Sequence, residues 1–386
     1  MQYLALIEKI ELAQWLRAGI CLLTCAVLIR ALVPVALRFG MVDKPGGRKD
    51  HGAPIPVVGG LGILVSLILV TLFTETPIDI RLVTFAACAI GLVLVGQLDD
   101  RFDISARWRI GAQALAGTAM MLLAGVTATN LQDVFGFAGS NIGLFAFPFT
   151  IFIVVGVINA LNMADGVDGL AGSLSLVSVA LFTCFALYSG DFRIAGHLLA
   201  VAAALVGFLL WNFRFPWQPR ARVFLGNGGS MLLGFVIAWC SVQLTQNEQH
   251  PVSPVLGPWT IALPLIDCIV LIFRRLMQGK SPFSADRQHM HHLLLDAGFK
   301  PVAVVLLMAG VSLALGLFAA FAVKLDIWRP LLVVLFGVLL VGWFVFTRDH
   351  ELAVERLKRL RGAFVSRQAV DDGDDDEAVP ADGPAR

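Results

Sequence analysis

Residues 143–189 read GLFAFPFTIFIVVGVINALNMADGVDGLAGSLSLVSVALFTCFALYS. Two apolar stretches, 143–161 and 171–189, meet at a junction carrying Asn159, Asn162, Asp165 and Asp168. Each stretch is close to the roughly 20 residues an α-helix needs to cross a bilayer core. Backbone groups in lipid must be satisfied within their own segment, so helices are the plausible spanning element. The segment therefore predicts two membrane helices joined at one membrane face by side chains that lipid disfavours.

The rest of the 386-residue chain extends this pattern. Hydrophobic residues make up 58% of it and charged residues only 15%, against roughly 25% charged in an ordinary soluble protein. That composition excludes a disordered chain, a collagen-like repeat and a small disulfide-stapled domain. A net charge of +1 gives no bulk attraction to nucleic acid. Apolar runs near 12–38, 57–74, 80–98, 107–125, 143–161, 171–189, 194–213, 228–245, 259–277, 301–323 and 328–347 predict an all-α, polytopic membrane protein with about 11 transmembrane helices.

Eleven spans put the termini on opposite sides. One set of connections, with the segment after 347, holds 22 of the 29 Lys and Arg residues, and the other holds six. The positive-inside rule then puts the C-terminus in the cytoplasm and the N-terminus in the periplasm. The expected organisation is a transmembrane domain over 1–347 and a cytoplasmic tail over 348–386, with a basic helix near 350–368 and an acidic, disordered end. All six cysteines fall in apolar runs without a C-x-x-C pair, and read as small packing residues.

Polar residues gather at the side assigned to the cytoplasm. Asp99 and Asp100 close one span within GQLDDRFDIS. Adjacent carboxylates repel, which favours a raised pKa or a bound hard cation; a solvated helix end facing Arg101, Arg107 and Arg109 is the simpler alternative. In NALNMADGVDGLAG, glycines permit tight turns, and Asp165 and Asp168 share one face of a turn. VFLGNGGS (Val223–Ser230) precedes a helix whose free N–H groups and dipole suit an anion. SPFSADRQHMHH (Ser281–His292) joins Arg287 to His289, His291 and His292. This suits diphosphate recognition better than a zinc site, because no companion ligands are near in sequence. DKPGGRKDHGAPIPVVGG (Asp43–Gly60) places Lys49 and His51 in a cationic loop, but its charges do not explain Gly59 and Gly60. Asp267 stands mid-span in PLID, as a partner for Arg274 or in a hydrated gap.

In that order, DKPGGRKDH…PVVGG, GQLDDRFDIS, INALNMADGVDGLAG, VFLGNGGS and SPFSADRQHMHH resemble the polyprenyl-phosphate N-acetylhexosamine-1-phosphate transferase family, over roughly residues 38–347. The histidine segment is similar to the N-acetylglucosamine branch rather than the phospho-MurNAc-pentapeptide branch. The resemblance implies transfer of N-acetylglucosamine-1-phosphate from UDP-N-acetylglucosamine to undecaprenyl phosphate, with release of UMP. It implies Mg²⁺ or Mn²⁺ as cofactor, a bacterial inner-membrane location, a cytoplasm-facing site, a homodimer, and initiation of O-antigen or a related polysaccharide. Asp99 would deprotonate or position the lipid phosphate, and Asp100 would support it or help hold the metal. Asn162, Asp165 and Asp168 match the nucleotide and diphosphate segment, while Asn212 and Phe224 resemble uracil contacts. Arg287, His289, His291 and His292 would hold diphosphate and sugar, with Lys49 and His51 adding phosphate or nucleotide contacts.

One position departs from the family pattern. Its Phe-x-Gly-Asp motif ends here on Asn227, so the implied metal set is Asn227, Asp100 and Asp99, with one negative charge fewer. Weaker Mg²⁺ binding and depressed activity are expected. Rival readings are another UDP-N-acetylhexosamine, the muramyl-pentapeptide donor, or a transporter. A transporter places its polar groups near the bilayer midplane in related halves; here they cluster at one surface.

Overall fold

A computed structural model describes residues 11–43, 54–74, 78–137, 139–247, 252–282 and 287–374, with side chains of the final helix described to residue 362. Lys49, His51, residues 283–286 and the acidic residues after Asp374 lie outside the described residues. Helix α1 (Leu12–Phe39) leads into an antiparallel ribbon of β1 (Val42–Asp43) and β2 (Ile55–Pro56). There follow α2 (Gly59–Thr74), α3 (Ile80–Phe102) and α4 (Ala106–Ala124). Next come α5 (Ala146–Ala164), α6 (Leu170–Tyr188), α7 (Phe192–Asn212) and α8 (Gly226–Thr245). The chain continues through α9 (Leu256–Thr260), α10 (Ala262–Met277) and α11 (Met290–Asp296). It closes with α12 (Pro301–Lys324), α13 (Arg329–Phe346) and α14 (His350–Asp374).

Every apolar window is helical, apart from a break in 259–277. Eight helical segments among the described residues are long and apolar enough to cross a membrane, so the chain is a multi-pass membrane protein. The other three windows fall short as single spans. α2 and α10 have 16 residues each, and α4 carries Arg107, Arg109 and Gln113. Among the described residues the small ribbon is the one sheet in an otherwise helical chain, beside isolated bridges at Asn130–Asn141 and Phe215–Gln218.

The break at Ile261 has a chemical cause. Pro264 has no N–H to offer the carbonyl four residues back, which is Thr260. That carbonyl instead accepts from Ser178 Oγ on α6 at 2.8 Å. Chain direction changes there without leaving a buried acceptor unpaired.

Helix α8 is the centre of the bundle. It is buried without interruption from Gly228 to Trp239, as expected for a helix apolar on all sides. It packs against α2, α3, α5 and α6. Glycines set these approaches: a Cβ on Gly96 would lie 2.2 Å from Gly228 N, and one on Gly60 would lie 2.3 Å from Gly229 Cα. Small residues allow membrane helices to pack backbone to backbone. Because Asp99 and Asp100 follow Gly96 by three and four residues, the same contact delivers both carboxylates to the start of α8.

Helix α14 runs from His350 to Asp374. Its first turns dock on the protein, where Ala353 and Val354 bury against Leu293 and Ala297. His350 meets Asp296 at 3.3 Å. All six cysteines are free.

Candidate active site

Gly226 opens α8 with φ of +77°, a conformation glycine adopts without a Cβ penalty. A Cβ there would strike Val57 and sit 2.7 Å from Asp100 Oδ2. Asp100 accepts from Asn227 N at 3.1 and 3.0 Å through its two oxygens, and from Gly228 N. It thus caps the N-terminus of α8 from a neighbouring helix, where the dipole favours negative charge. Gly59 and Gly60 donate to Phe224 O and Leu225 O, both at 3.0 Å, while Phe224 N donates to Pro56 O at 2.9 Å. The paired glycines therefore lock the first polar loop onto the segment preceding α8. Phe224 is half-buried there.

Asp99 is buried and held from several sides. Its Oδ2 accepts from Arg109 Nη1 and from Asn227 Nδ2, both at 2.8 Å, and the carboxylate also accepts from Ile104 N. Asn227 Oδ1 accepts from Asn162 Nδ2 at 2.7 Å, and Asn162 also donates to Ser230 Oγ at 2.8 Å. The amide orientation follows from chemistry, since Asp99 offers Asn227 only acceptors. Three helices, α3, α5 and α8, are tied together by this network. Asn159, one turn before Asn162, donates to Gln113 Oε1 at 2.7 Å and ties α5 to α4.

The loop between α5 and α6 divides its carboxylates. Asp168 accepts from Arg214 Nε at 2.7 Å and from Ala221 N at 3.1 Å. Asp165 is exposed, and although its N–H donates to Asn162 O at 3.3 Å, its carboxylate has no hydrogen bond among the described residues. Desolvation by the surrounding protein, then the carboxylates of Asp100 and Asp168, push it up to about 7. Asn212 is buried, accepting from Gly169 N at 2.8 Å and donating to Val223 O at 2.9 Å. Its side chain cross-links the backbone at Gly169 and Val223.

The histidines reach the same end of the bundle. A Cβ on Gly166 would lie 2.2 Å from His291 Nε2, so the absent side chain lets the imidazole lie on the Asp165 loop. His289, His291 and His292 cluster with ring centroids 4.3 to 6.3 Å apart. Burial, then the neighbouring imidazoles, holds His291 well below the usual histidine range. His292 is lowered by burial first, with His289 and Arg287 adding to it. Both rings are neutral at pH 7 and offer hydrogen bonds rather than charge. His292 Nδ1 is buried without a partner among the described residues. Arg287 is exposed and pairs loosely with Asp296 at 3.9 Å.

Asp267 finds its place here. Its Oδ2 lies 3.0 Å from His289 Nδ1, and its Oδ1 accepts from Met290 N at 2.9 Å. One carboxylate from α10 therefore orients the first histidine and caps α11. A lone carboxylate inside an apolar run was its only sequence signal, and nothing along the chain indicated a partner 22 residues away. Arg214 and Ser230 likewise carry contacts that spacing alone does not show, whereas Arg109 was among the arginines expected to face the carboxylate pair.

The site residues can be tested against a divalent metal by their donor chemistry. Asp99 and Asn227 are engaged by Arg109, Asn162 and each other, and Arg214 balances Asp168. Asp100 and Asp165 remain as neighbouring carboxylates with no Lys or Arg ion pair among the described residues. No group of three or more His, Cys, Asp or Glu side chains converges on a metal position among the described residues, so these two carboxylates are the hard oxygen donors the site offers a divalent cation.

A family model for glycosyl transferase family 4 matches residues 82–245, the stretch from α3 through α8. An undecaprenyl-phosphate α-N-acetylglucosaminyl 1-phosphate transferase of Yersinia pestis is 41% identical over 331 residues, covering 84% of this chain and 90% of its own. The protein of that name from Escherichia coli O157:H7 is 37% identical, covering 85% of this chain and 91% of its own. One from Haemophilus influenzae is 35% identical over 72% of this chain and 78% of its own. With relatives this similar over most of their length, the chain belongs to glycosyl transferase family 4 as a membrane-embedded enzyme.

Proposed function

We propose that the chain transfers N-acetylglucosamine-1-phosphate from UDP-N-acetylglucosamine to undecaprenyl phosphate, yielding the lipid-linked diphosphate sugar and UMP. The observation that carries this reading is the convergence of Asp99, Asp100, Asn162, Asp165, Asn227 and His291 at one end of a membrane bundle. A lipid phosphate anchored in the bilayer and a soluble nucleotide can meet only at such a surface. The excess of Lys and Arg in the connections at this end supports placing it, and the C-terminus, on the cytoplasmic side of a bacterial inner membrane.

A phosphate monoester has a second pKa near 6, so the lipid phosphate is mostly dianionic at pH 7 and needs little deprotonation. The harder task is to bring it against a diphosphate, also anionic. Asp100 and Asp165 would hold the metal, which would supply positive charge to offset that of the two anionic substrates. Asp99, clamped by Arg109 and Asn227, fixes the position of α8 relative to α3. The neutral imidazoles of His291 and His292 donate to sugar or diphosphate oxygens, and Arg287 supplies charge from the rim. Phe224 offers an aromatic face for uracil. Lys49 and His51 extend the cationic side through the first loop. The tail after residue 347 serves as a separate cytoplasmic segment.

The direct test incubates membranes with labelled UDP-N-acetylglucosamine and undecaprenyl phosphate. Lipid-extractable label with one UMP per transfer is expected. Label taken only from another UDP-N-acetylhexosamine, or from the muramyl-pentapeptide donor, would overturn the donor assignment.

A pH dependence follows from Asp165. Protons compete with the metal for a carboxyl raised toward 7, so kcat/KM at limiting Mg²⁺ should rise between pH 6 and 8. Added Mg²⁺ should move that limb to lower pH, and Asp165→Asn should remove it. An unchanged limb in Asp165→Asn would assign it to another group.

Asp267 acts through His289 as a positioning residue. Substituting groups that orient a functional imidazole typically costs about 10–100-fold in activity. Asp267→Ala is expected to lose about 100-fold and Asp267→Asn about tenfold, with the loss mainly in kcat. Equal losses in thermal stability and in activity for both variants would reduce Asp267 to a structural cap.

A further inference from the structure

A cavity of about 490 Å³ lies at the end of the bundle away from the carboxylates, between α2, α3, α7 and α8. Arg81 on its wall precedes Asp99 on the same helix by 18 residues, or about 27 Å along the axis. Its volume falls in the range of sites that enclose a small organic ligand. The deep wall is aliphatic and aromatic, with Leu64, Phe85, Leu198 and Trp239. Leu72, Val83 and Ile90 line its mouth and are themselves exposed, so the opening faces lipid.

One end of this apolar space is cationic. Arg17, Arg81, Arg193 and His197 line it, against Asp79 as the single carboxylate on the described wall. Asp79 caps α3 through Leu82 N and pairs with Arg193 at 2.8 Å. Arg81 donates no hydrogen bond among the described residues. Arg17 is only 7% exposed on a helix that spans the membrane, where an ionisable side chain needs a functional or structural reason. An apolar tunnel open to the bilayer and ending in guanidinium groups matches an amphiphile with a hydrocarbon chain and an anionic head. Arginine recognises phosphate oxygens with particular geometric fit.

We propose that this cavity is a binding site for an anionic phospholipid, with one acyl chain between α2 and α3 and its phosphate at Arg81 beside the Arg193–Asp79 pair. The site is separate from the transferase centre, and its occupant comes from the leaflet opposite to it. The bound lipid would add to the Arg193–Asp79 pair in holding the ends of α2, α3 and α7 together.

The test uses the purified full-length chain in mixed micelles holding equimolar phosphatidylglycerol and phosphatidylcholine, read by native mass spectrometry. One retained phosphatidylglycerol, favoured at least tenfold over phosphatidylcholine, is expected. Arg81→Gln should reduce that preference at least fivefold. Ala86→Trp, which fills the cavity from α3, should remove the adduct while N-acetylglucosamine-1-phosphate transfer persists. Inorganic phosphate at 10 mM should leave the adduct intact, because the acyl chain contributes to binding. Equal retention of the two lipids, no adduct, displacement by inorganic phosphate, or wild-type adducts in both variants would each overturn the proposal. Because the readout is lipid retention, its failure is distinct from failure of the transferase reading.

Discussion

Asp100→Asn is expected to lower sugar-phosphate transfer on the order of 10³-fold, about 4 kcal/mol of transition-state stabilisation, while the protein remains folded. The side chain has two duties that this substitution separates. Asp100 caps α8 by accepting from Asn227 N and Gly228 N, and an asparagine carbonyl can still accept there. Loss of a cap costs only about 1 kcal/mol. The negative charge beside Asp165 has no substitute, so Asn keeps the cap but removes half of the carboxylate pair proposed to hold the metal. Asp100→Ala would lose both. The measurement is initial rate of lipid-linked label at graded Mg²⁺, with thermal stability of the purified protein as control. If Asp100→Asn retained wild-type rates and Mg²⁺ dependence, Asp100 would be a structural cap alone.

How much of this was legible along the chain depended on the range of the interaction. The 143–189 stretch announces two apolar helices and a polar junction because side chains three and four apart share a face, and the helices form where expected. The Ile261 break also has a local signal, Pro264, although satisfying Thr260 required Ser178 from a helix 82 residues away. Asp99 and Asp100 were recognisable as an unusual pair. That one would be clamped by Arg109 while the other capped α8 depends on the close approach of Gly96 to Gly228, which is a property of packing. The same limit applies to Asn212. The family resemblance implied a uracil contact there, and the sequence held no sign that the oxygen and nitrogen of its side-chain amide would engage Gly169 and Val223. Gly59 and Gly60 had no explanation from spacing and acquire one only when Phe224 and Leu225 run alongside them. Charges and helix periods could be read locally; the choice of partner could not.

Asn227→Asp is expected to make the protein more dependent on divalent metal and more active once metal is supplied. In the native chain Asn227 Nδ2 donates to Asp99 at 2.8 Å, a hydrogen bond to a charged group worth about 1.5–3 kcal/mol. Aspartate cannot donate there. It would place a third carboxylate against Asp99 and beside Asp100, replacing attraction with repulsion. Asn162 Nδ2 could still donate to one of its oxygens, so the link to α5 persists. Without metal, the variant should therefore melt at lower temperature than the native protein. With Mg²⁺ or Mn²⁺ it should recover, because site affinity for these ions rises with the number of carboxylate donors. The half-saturating Mg²⁺ concentration for transfer should fall about tenfold. Asparagine in this position thus supplies, with a neutral N–H, part of the cohesion that a cation would supply between carboxylates. Thermal melting across a Mg²⁺ series tests that exchange without depending on catalysis, and transfer rates across the same series test its effect on chemistry. Superimposable melting and rate curves for the two proteins would show that position 227 has no part in metal affinity.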